Sequence, residues 1–201
     1  MGIKERRERQ RRELRGSILS AARELASEEG WGAVTIRKIA GRIEYSPPML
    51  YGYFDSKEDI LLELVRMGYA GQLEAIERAR DAARGPEEAL IAMSRAWYRF
   101  AVEAPDLYQV MYGLGGVSFP VMELRREGEK IADKIAQVLE EILAKNGREA
   151  GDLWGKVTLA WATLHGLVAL NMAGRIPGGY QETERLVDQA TRDYLNVWLK
   201  E

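Results

Sequence analysis

The chain has 201 residues, 46% of them hydrophobic and 30% charged, enough apolar material for a substantial core in one domain or in a small domain joined to a larger one. Cysteine is absent and histidine occurs once, which excludes disulfides, thiolate metal sites and multi-histidine zinc sites; neither a metal nor a cofactor is expected. The net charge of -2 hides an asymmetry, because residues 1–51 hold 11 basic and 7 acidic side chains while the remainder holds 18 and 24, so a basic end suited to phosphate precedes an acidic body.

No stretch approaches the uninterrupted apolar length of a bilayer span, and no apolar segment near the N-terminus resembles a signal peptide, so no membrane partner and a cytoplasmic location are expected. Residues 4–15 carry seven basic and three acidic side chains. They read either as a flexible phosphate-seeking arm or as an exposed helical extension. Ile18, Ala21, Ala22, Leu25 and Ala26 then form the inward stripe of a helix ending near Gly30.

The segment from Thr35 to Phe54 holds two short helix signatures with almost no linker. Thr35 can cap the first, in which Ile36, Ile39 and Ala40 face inward. Ser46 can cap the second, where Pro47 takes the first helical position and Pro48 is still within the first turn, leaving Met49 to Tyr53 as a stubby helix that presents side chains outward. That is a helix-turn-helix able to enter a major groove. A helical hairpin of an ordinary bundle presents a similar local pattern, and both readings stand at this level.

Helical periodicity continues to the end of the chain. Ser56 and Asp59 make a capping box for a long helix reaching about Arg84, with Ile60, Leu61, Leu64, Val65 and Leu73 facing inward. Gly85-Pro86 ends it, and helices are predicted over 87–103, from Pro105 through Met111, and over 121–145, 149–172 and 182–199, with a glycine-rich break from Gly113 to Pro120. The fold class is all-α, about nine helices. An N-terminal three-helix domain (1–55) is joined to a larger helical domain for ligand binding and dimerisation (56–201). In the larger domain Trp97, Phe100, Tyr108, Tyr112, Met122 and Trp161 are large adaptable groups clustered around the glycine-rich break, a composition that suits plain core and also a pocket for an apolar or aromatic molecule. Arg95, Arg99 and His165 are its candidate polar anchors. The last two long helices carry apolar faces through Leu153, Val157, Leu164 and Val168, and through Leu186, Ala190, Tyr194 and Val197, more than a monomer is expected to bury.

The spaced set Ile18, Ala21-Ala22, Leu25, Gly30, Thr35, Ile39-Ala40, Ser46, Leu50-Tyr51, Tyr53-Phe54, Ser56-Lys57-Glu58, Leu61 and Val65 resembles the tetracycline-repressor-like (TetR) family of transcriptional regulators over residues 18–65, and the rest of the chain does so more loosely. Trp161 to Leu170, with His165-Gly166 at its centre, looks like the His-Gly motif in the penultimate helix of one large branch of that family. The resemblance implies a homodimer on a palindromic DNA operator, repressing until a small effector enters the C-terminal domain. By family position Tyr51, Tyr53 and Lys57 anchor phosphate, Thr35, Arg37 and Lys38 belong to the same clamp, and Tyr45, Ser46, Pro47 and Met49 stand at the reading positions.

One departure is conspicuous: Ile43-Glu44-Tyr45 occupies the turn where the family usually has a glycine, so this turn must form without glycine's access to positive φ. Glu44 also brings a negative charge close to the phosphate side. A helical protein-interaction module, a DNA binder indifferent to ligands, and an enzyme are the alternatives; the last lacks an evident Ser, Asp or metal partner for His165, although Glu103 and Asp106 stand near the candidate pocket.

Overall fold

The computed structural model describes residues 2–114, 116 and 121–200, with the side chains of residues 3 and 121–125 excepted. Among the described residues there are nine α-helices, one short 3-10 turn at Trp31–Ala33 and no strand. The helices are α1 (Ile3–Glu29), α2 (Ile36–Arg42), α3 (Pro47–Leu50), α4 (Lys57–Asp81), α5 (Pro86–Glu103), α6 (Pro105–Tyr112), α7 (Val121–Lys145), α8 (Leu153–Met172) and α9 (Gly179–Trp198). Several ends differ from the sequence-based positions. Asp152 accepts the Gly155 amide at 2.9 Å and starts α8 four residues later than predicted, α9 starts three residues earlier, and α4 stops at Asp81. Residues 4–15 are helical, an extension of α1 rather than a loose arm. The side chain of Met122 and most of the Gly113–Pro120 break lie outside the described residues.

The chain forms two compact units, Met1–Gly68 with Asp106–Phe119, and Tyr69–Pro105 with Pro120–Glu201. A boundary at 55/56, as drawn from sequence, therefore differs from the division in space, which falls within α4 and returns α6 to the first unit. The reason lies in the core of that unit. Ile18, Ala22, Trp31, Val34, Ile39, Leu50, Ile60, Leu64 and Val65 are buried where α1 to α4 meet. The buried Trp31 indole donates to the Asp106 carbonyl at 3.0 Å, and Arg23 of α1 grips the buried Asp106 carboxylate through two hydrogen bonds, 2.6 and 3.1 Å. Gly68 lets α4 lie against α6, because a Cβ there would fall 2.9 Å from Met111 Cγ.

In the second unit α5 packs on α7, α8 and α9, and α8 also packs on α7 and α9. Met93, Trp97, Tyr98, Ala101, Val138, Leu139, Ile142, Val157, Val168 and Val187 form its core. Gly71 makes room for Phe100, whose ring edge lies 3.4 Å from where a Cβ would stand. Charged pairs flank the core: Lys145 to Glu87 at 2.9 Å, Arg80 to Glu141 at 2.6 Å and Lys134 to Glu77 at 2.9 Å.

Candidate DNA-binding site

The reading surface rests on two caps and a turn. Thr35 is extended (φ -136°, ψ 153°) and its hydroxyl accepts the Lys38 amide at 3.2 Å, the predicted start of α2. At the other end Tyr45 N–H donates to the Ala40 carbonyl (2.9 Å) and Glu44 N–H to the Gly41 carbonyl (3.3 Å), which is a Schellman motif. Glu44 occupies its left-handed position at φ 61°, and it is the one non-glycine residue with positive φ among the described residues. The missing glycine thus leaves the backbone path unchanged and places the strain on a side chain that tolerates it poorly.

Ser46 stands at the N-cap of α3 with extended backbone, but its side chain makes no cap hydrogen bond, contrary to the sequence-based expectation. Pro47 and Pro48 shape the first turn instead. The α-helix covers only Pro47–Leu50, and turns with hydrogen bonds from Tyr53 N (2.9 Å) and Phe54 N (3.0 Å) to the Leu50 carbonyl carry the chain onward. Leu50 is fully buried, whereas Tyr45, Met49 and Tyr51 are 44%, 47% and 55% exposed. One side of the short helix is therefore locked into the core, and the other offers two phenols and a thioether to solvent.

The cationic residues assigned to phosphate have unequal freedom. Arg37 is exposed and engages no acceptor among the described residues. Lys38 is exposed as well, yet its ammonium is held by Glu29 at 2.6 Å. Lys57 is half-buried and reaches back to the Trp31 carbonyl at 3.4 Å, bracing the 3-10 turn. Tyr53 is half-buried, with the Arg11 guanidinium 5.9 Å from its ring centroid. Arg42, which sequence passed over, is clamped by Glu28 and Glu24 of α1; this raises the guanidinium pKa and holds the Glu28 carboxyl below its usual range.

The effector residues assigned from sequence do not all converge. In the second unit an apolar cavity of about 20 Å³, room for about one water, is lined by Trp97 and Trp161 together with Ile76, Met93, Leu139 and Tyr194. Its hydroxyls are engaged within the protein: Ser94 donates to the Leu90 carbonyl (2.9 Å), Thr191 to the Val187 carbonyl (2.9 Å), and Thr163 pairs with the Tyr194 phenol (2.6 Å). Among the described residues lining it, Lys156 alone is charged. Arg95 and Arg99 are elsewhere, bound to Asp188 and Glu184 of α9; Phe100 packs beside Gly71, and the Tyr108 and Tyr112 rings lie tilted against each other within the first unit (centroids 4.6 Å apart, planes at 47°). His165 is half-buried 5.8 Å from the Trp161 ring, does not line the cavity, and has its pKa lowered by burial.

The residues assigned to dimerisation also divide. Val157, Leu164 and Val168 are buried inside the second unit, while Leu153, Leu186, Ala190 and Tyr194 are half-buried and Val197 is exposed. Trp154 (54%) and Trp161 (41%) stand exposed at the margin of that packed side, and Leu159 (55%) and Leu170 (45%) lie in solvent on the opposite side of α8. Over Leu153–Met172 the mean hydropathy is 1.2, and only 17% of that window is buried. By length and composition alone α8 could thus cross a membrane, which the sequence reading did not anticipate; a helix apolar all round with one face packed also needs a partner for the other.

Residues 90–194 match the family model described as "Tetracyclin repressor-like, C-terminal domain", and residues 18–64 match "Bacterial regulatory proteins, tetR family". Among curated proteins the chain is 27% identical over 162 residues to an uncharacterized HTH-type transcriptional regulator of Mycobacterium tuberculosis, Rv0681, covering 80% of this chain and 71% of that one. It is 30% identical to the HTH-type transcriptional regulator BetI of Rhizobium meliloti over 92 residues, 46% of this chain and 45% of that one. Its fold is similar to a solved protein of unknown function from Rhodococcus sp. RHA1 (TM-score 0.80, 22% identity, 92% and 95% covered) and to the TetR family regulator PfmR from Thermus thermophilus (TM-score 0.71, 22% identity, 89% and 97% covered).

Proposed function

Since the chain belongs to the tetracycline-repressor (TetR) family, and is thus a helix-turn-helix transcription regulator and not an enzyme, we propose that it is a repressor that binds a palindromic operator as a homodimer and leaves it when a small apolar or aromatic effector binds. The observation that carries the reading is α3: Leu50 is fully buried while Tyr45, Met49 and Tyr51 stand out, so a rigid core presents a compact reading face. With few polar donors on that face, specificity comes from the Tyr45 hydroxyl and from apolar contact by Met49 and Pro47, while Tyr51, Arg37, Lys38 and the Thr35 and Ser46 hydroxyls position the backbone. Lys57 and Tyr53 act from a half-buried ring around it.

The bare side of α8 supports the dimer. Leu159 and Leu170, 11 residues apart and on the same side of α8, form an exposed apolar side that a second copy covers about a two-fold axis, with the exposed Val197 of α9 adding apolar surface. Two reading faces on one assembly then match two half-sites, whose separation is set by the DNA helix. A cytoplasmic location follows from this role.

The effector site in this reading is the cavity beside Trp97 and Trp161. At about 20 Å³ it has room for about one water, so a larger effector binds a widened form and acts only through its greater affinity for that form. The response reaches DNA along the chain itself: α5 of the second unit leads through Ala104 into α6 of the first, and α6 is pinned to α1 by the Arg23 to Asp106 pair. Selection of duplexes from a random pool, followed by titration of the selected DNA with and without compounds that raise the melting temperature, tests the proposal. A folded dimer that selects no shared motif overturns the DNA reading; hits that stabilise the protein and leave DNA affinity unchanged overturn the sensor reading.

A further inference from the structure

The basic segment before the helix-turn-helix is not an unstructured tail. It is the first turns of α1, a single helix from Ile3 to Glu29, and its charges have a fixed order in space. Lys4, Arg7, Arg11 and Arg15 follow at intervals of three and four, so they lie along one side of the helix. Two of them show which side that is: the Arg11 guanidinium sits over the Tyr53 ring (5.9 Å), and Arg15 sits over Phe54 (4.8 Å) while pairing with Glu63 at 2.7 Å. Both rings directly follow the recognition helix. The stripe therefore begins at the edge of the reading surface and continues away from it. By helical rise Arg7 stands about 12 Å and Lys4 about 17 Å beyond Arg15, the latter the length of about five nucleotides of one strand.

The acids of this segment are largely directed elsewhere. Glu5 caps the Gly2 amide at 2.9 Å, and Glu13 pairs with Arg9 on the opposite side. Glu8 borders the stripe. Lys4 and Arg7 are exposed, and neither is held by an acid among the described residues. A helix of this composition also needs no partner to bury, since its first turns have no apolar face. What it offers is a row of cations at near-constant spacing on a backbone already ordered, so that side-chain freedom alone remains to be lost on contact.

We propose that Lys4, Arg7 and Arg11 grip the phosphate backbone of duplex DNA outside the segment reached by α3, lengthening the footprint at each outer edge. This inference rests on the DNA-binding reading above and adds a second, sequence-independent contact to it. The Arg11 charge is held against Tyr53, so that ring links the stripe to the reader. No contact to bases is involved, and the stripe raises affinity for all flanking sequences alike.

The test compares two double variants with the same charge change, Lys4→Ala/Arg7→Ala on the stripe and Arg6→Ala/Arg9→Ala on the opposite side. Each is titrated by fluorescence anisotropy against the selected duplex trimmed to its core and against the same core with about one helical turn, ~10 bp, of arbitrary sequence added at each end. The wild type should bind the flanked duplex more tightly than the core. The stripe variant should lose that gain, with a log-log salt slope shallower by about 0.9 per contact removed and a loss of about 30-fold for two contacts at 0.15 M salt relative to 1 M. The opposite-side variant should keep it, and Lys4→Arg/Arg7→Lys should restore wild-type behaviour. Equal losses for both alanine variants would show undirected charge attraction and overturn the proposal, as would a stripe variant that loses as much on the core duplex or loses nothing. If the wild type selects no DNA at all, the underlying reading fails first; if it binds the core sequence-specifically and gains nothing from flanks, only the stripe fails.

Discussion

Replacing Glu44 with glycine should stabilise the protein and strengthen its hold on DNA, two effects that a second substitution separates. Glu44 sits at φ 61° in a turn closed by two backbone hydrogen bonds, and neither bond involves its side chain. A left-handed conformation costs an ordinary L-residue about 1–2 kcal/mol. Glycine removes that cost while giving back about 0.5–1 kcal/mol through its freer unfolded chain. The net gain is about 0–1.5 kcal/mol, centred on about 0.75, which for a chain of this size raises Tm by about 2–3 °C and at most by about 6 °C. Glu44→Ala keeps the Cβ and hence the strain, but removes the same negative charge from the DNA side. Calorimetry should therefore show a gain for Glu44→Gly alone, whereas DNA titration at low salt should show tighter binding for both. If alanine stabilises as much as glycine, the strain assignment is wrong and the gain belongs to charge; if glycine destabilises, the side chain holds the turn in a way its geometry does not reveal.

Asp106→Ala should lower stability by about 1.5–3 kcal/mol, because the Arg23 guanidinium loses two charge-assisted hydrogen bonds at a partly buried position, and urea melts will read this as a lower midpoint. Leu164→Ala, inside the second unit, should cost about 2–5 kcal/mol and leave the oligomeric state intact, whereas Leu159→Glu, on the bare side of α8, should leave the protomer folded and shift sedimentation to the monomer. The burial-lowered pKa of His165 means that the folded protein binds fewer protons than the unfolded chain just below the ordinary value of 6.5. Stability should thus rise with pH through that window and fall as pH drops below about 6.5, a slope that His165→Gln should flatten in melts taken from pH 7.5 to 5.

The helix count and the Thr35 cap were legible because periodicity and caps are local. Gly85-Pro86 and Gly30 punctuate the chain in ways that no distant contact has to decide. The Ser46 cap misled, since two prolines can set the first turn of α3 without a side-chain hydrogen bond. The faces of α8 could not be sorted from sequence at all: with Trp, Leu, Val and Ala distributed all round, periodicity marks neither the packed side nor the bare one. Arg95 and Arg99 were assigned to a pocket because a cation amid aromatics looks like an anchor. Their acids, Asp188 and Glu184, stand 93 and 85 residues away and are brought close only by the packing of α5 on α9. Tyr108 and Tyr112 share that fate, drawn into the first unit by the contacts of α6. The cavity needed Ile76 of α4 and Leu139 of α7, whose apolar spacing carries no sign of a ligand site.

A cavity with room for one water sets a clock as well as an affinity. The Thr163 hydroxyl pairs with the Tyr194 phenol and the Tyr194 ring stacks on Trp198 at 4.9 Å, so a molecule larger than water has no room until these groups move. If the proposed effector enters here, it must wait for that stack to part, whatever its concentration outside. The observed association rate should then climb at low concentration and level off at the rate of parting, even while occupancy keeps rising. A cell using this protein would meet a sudden excess of effector with a fixed delay, and a brief pulse shorter than that delay would pass without a transcriptional answer.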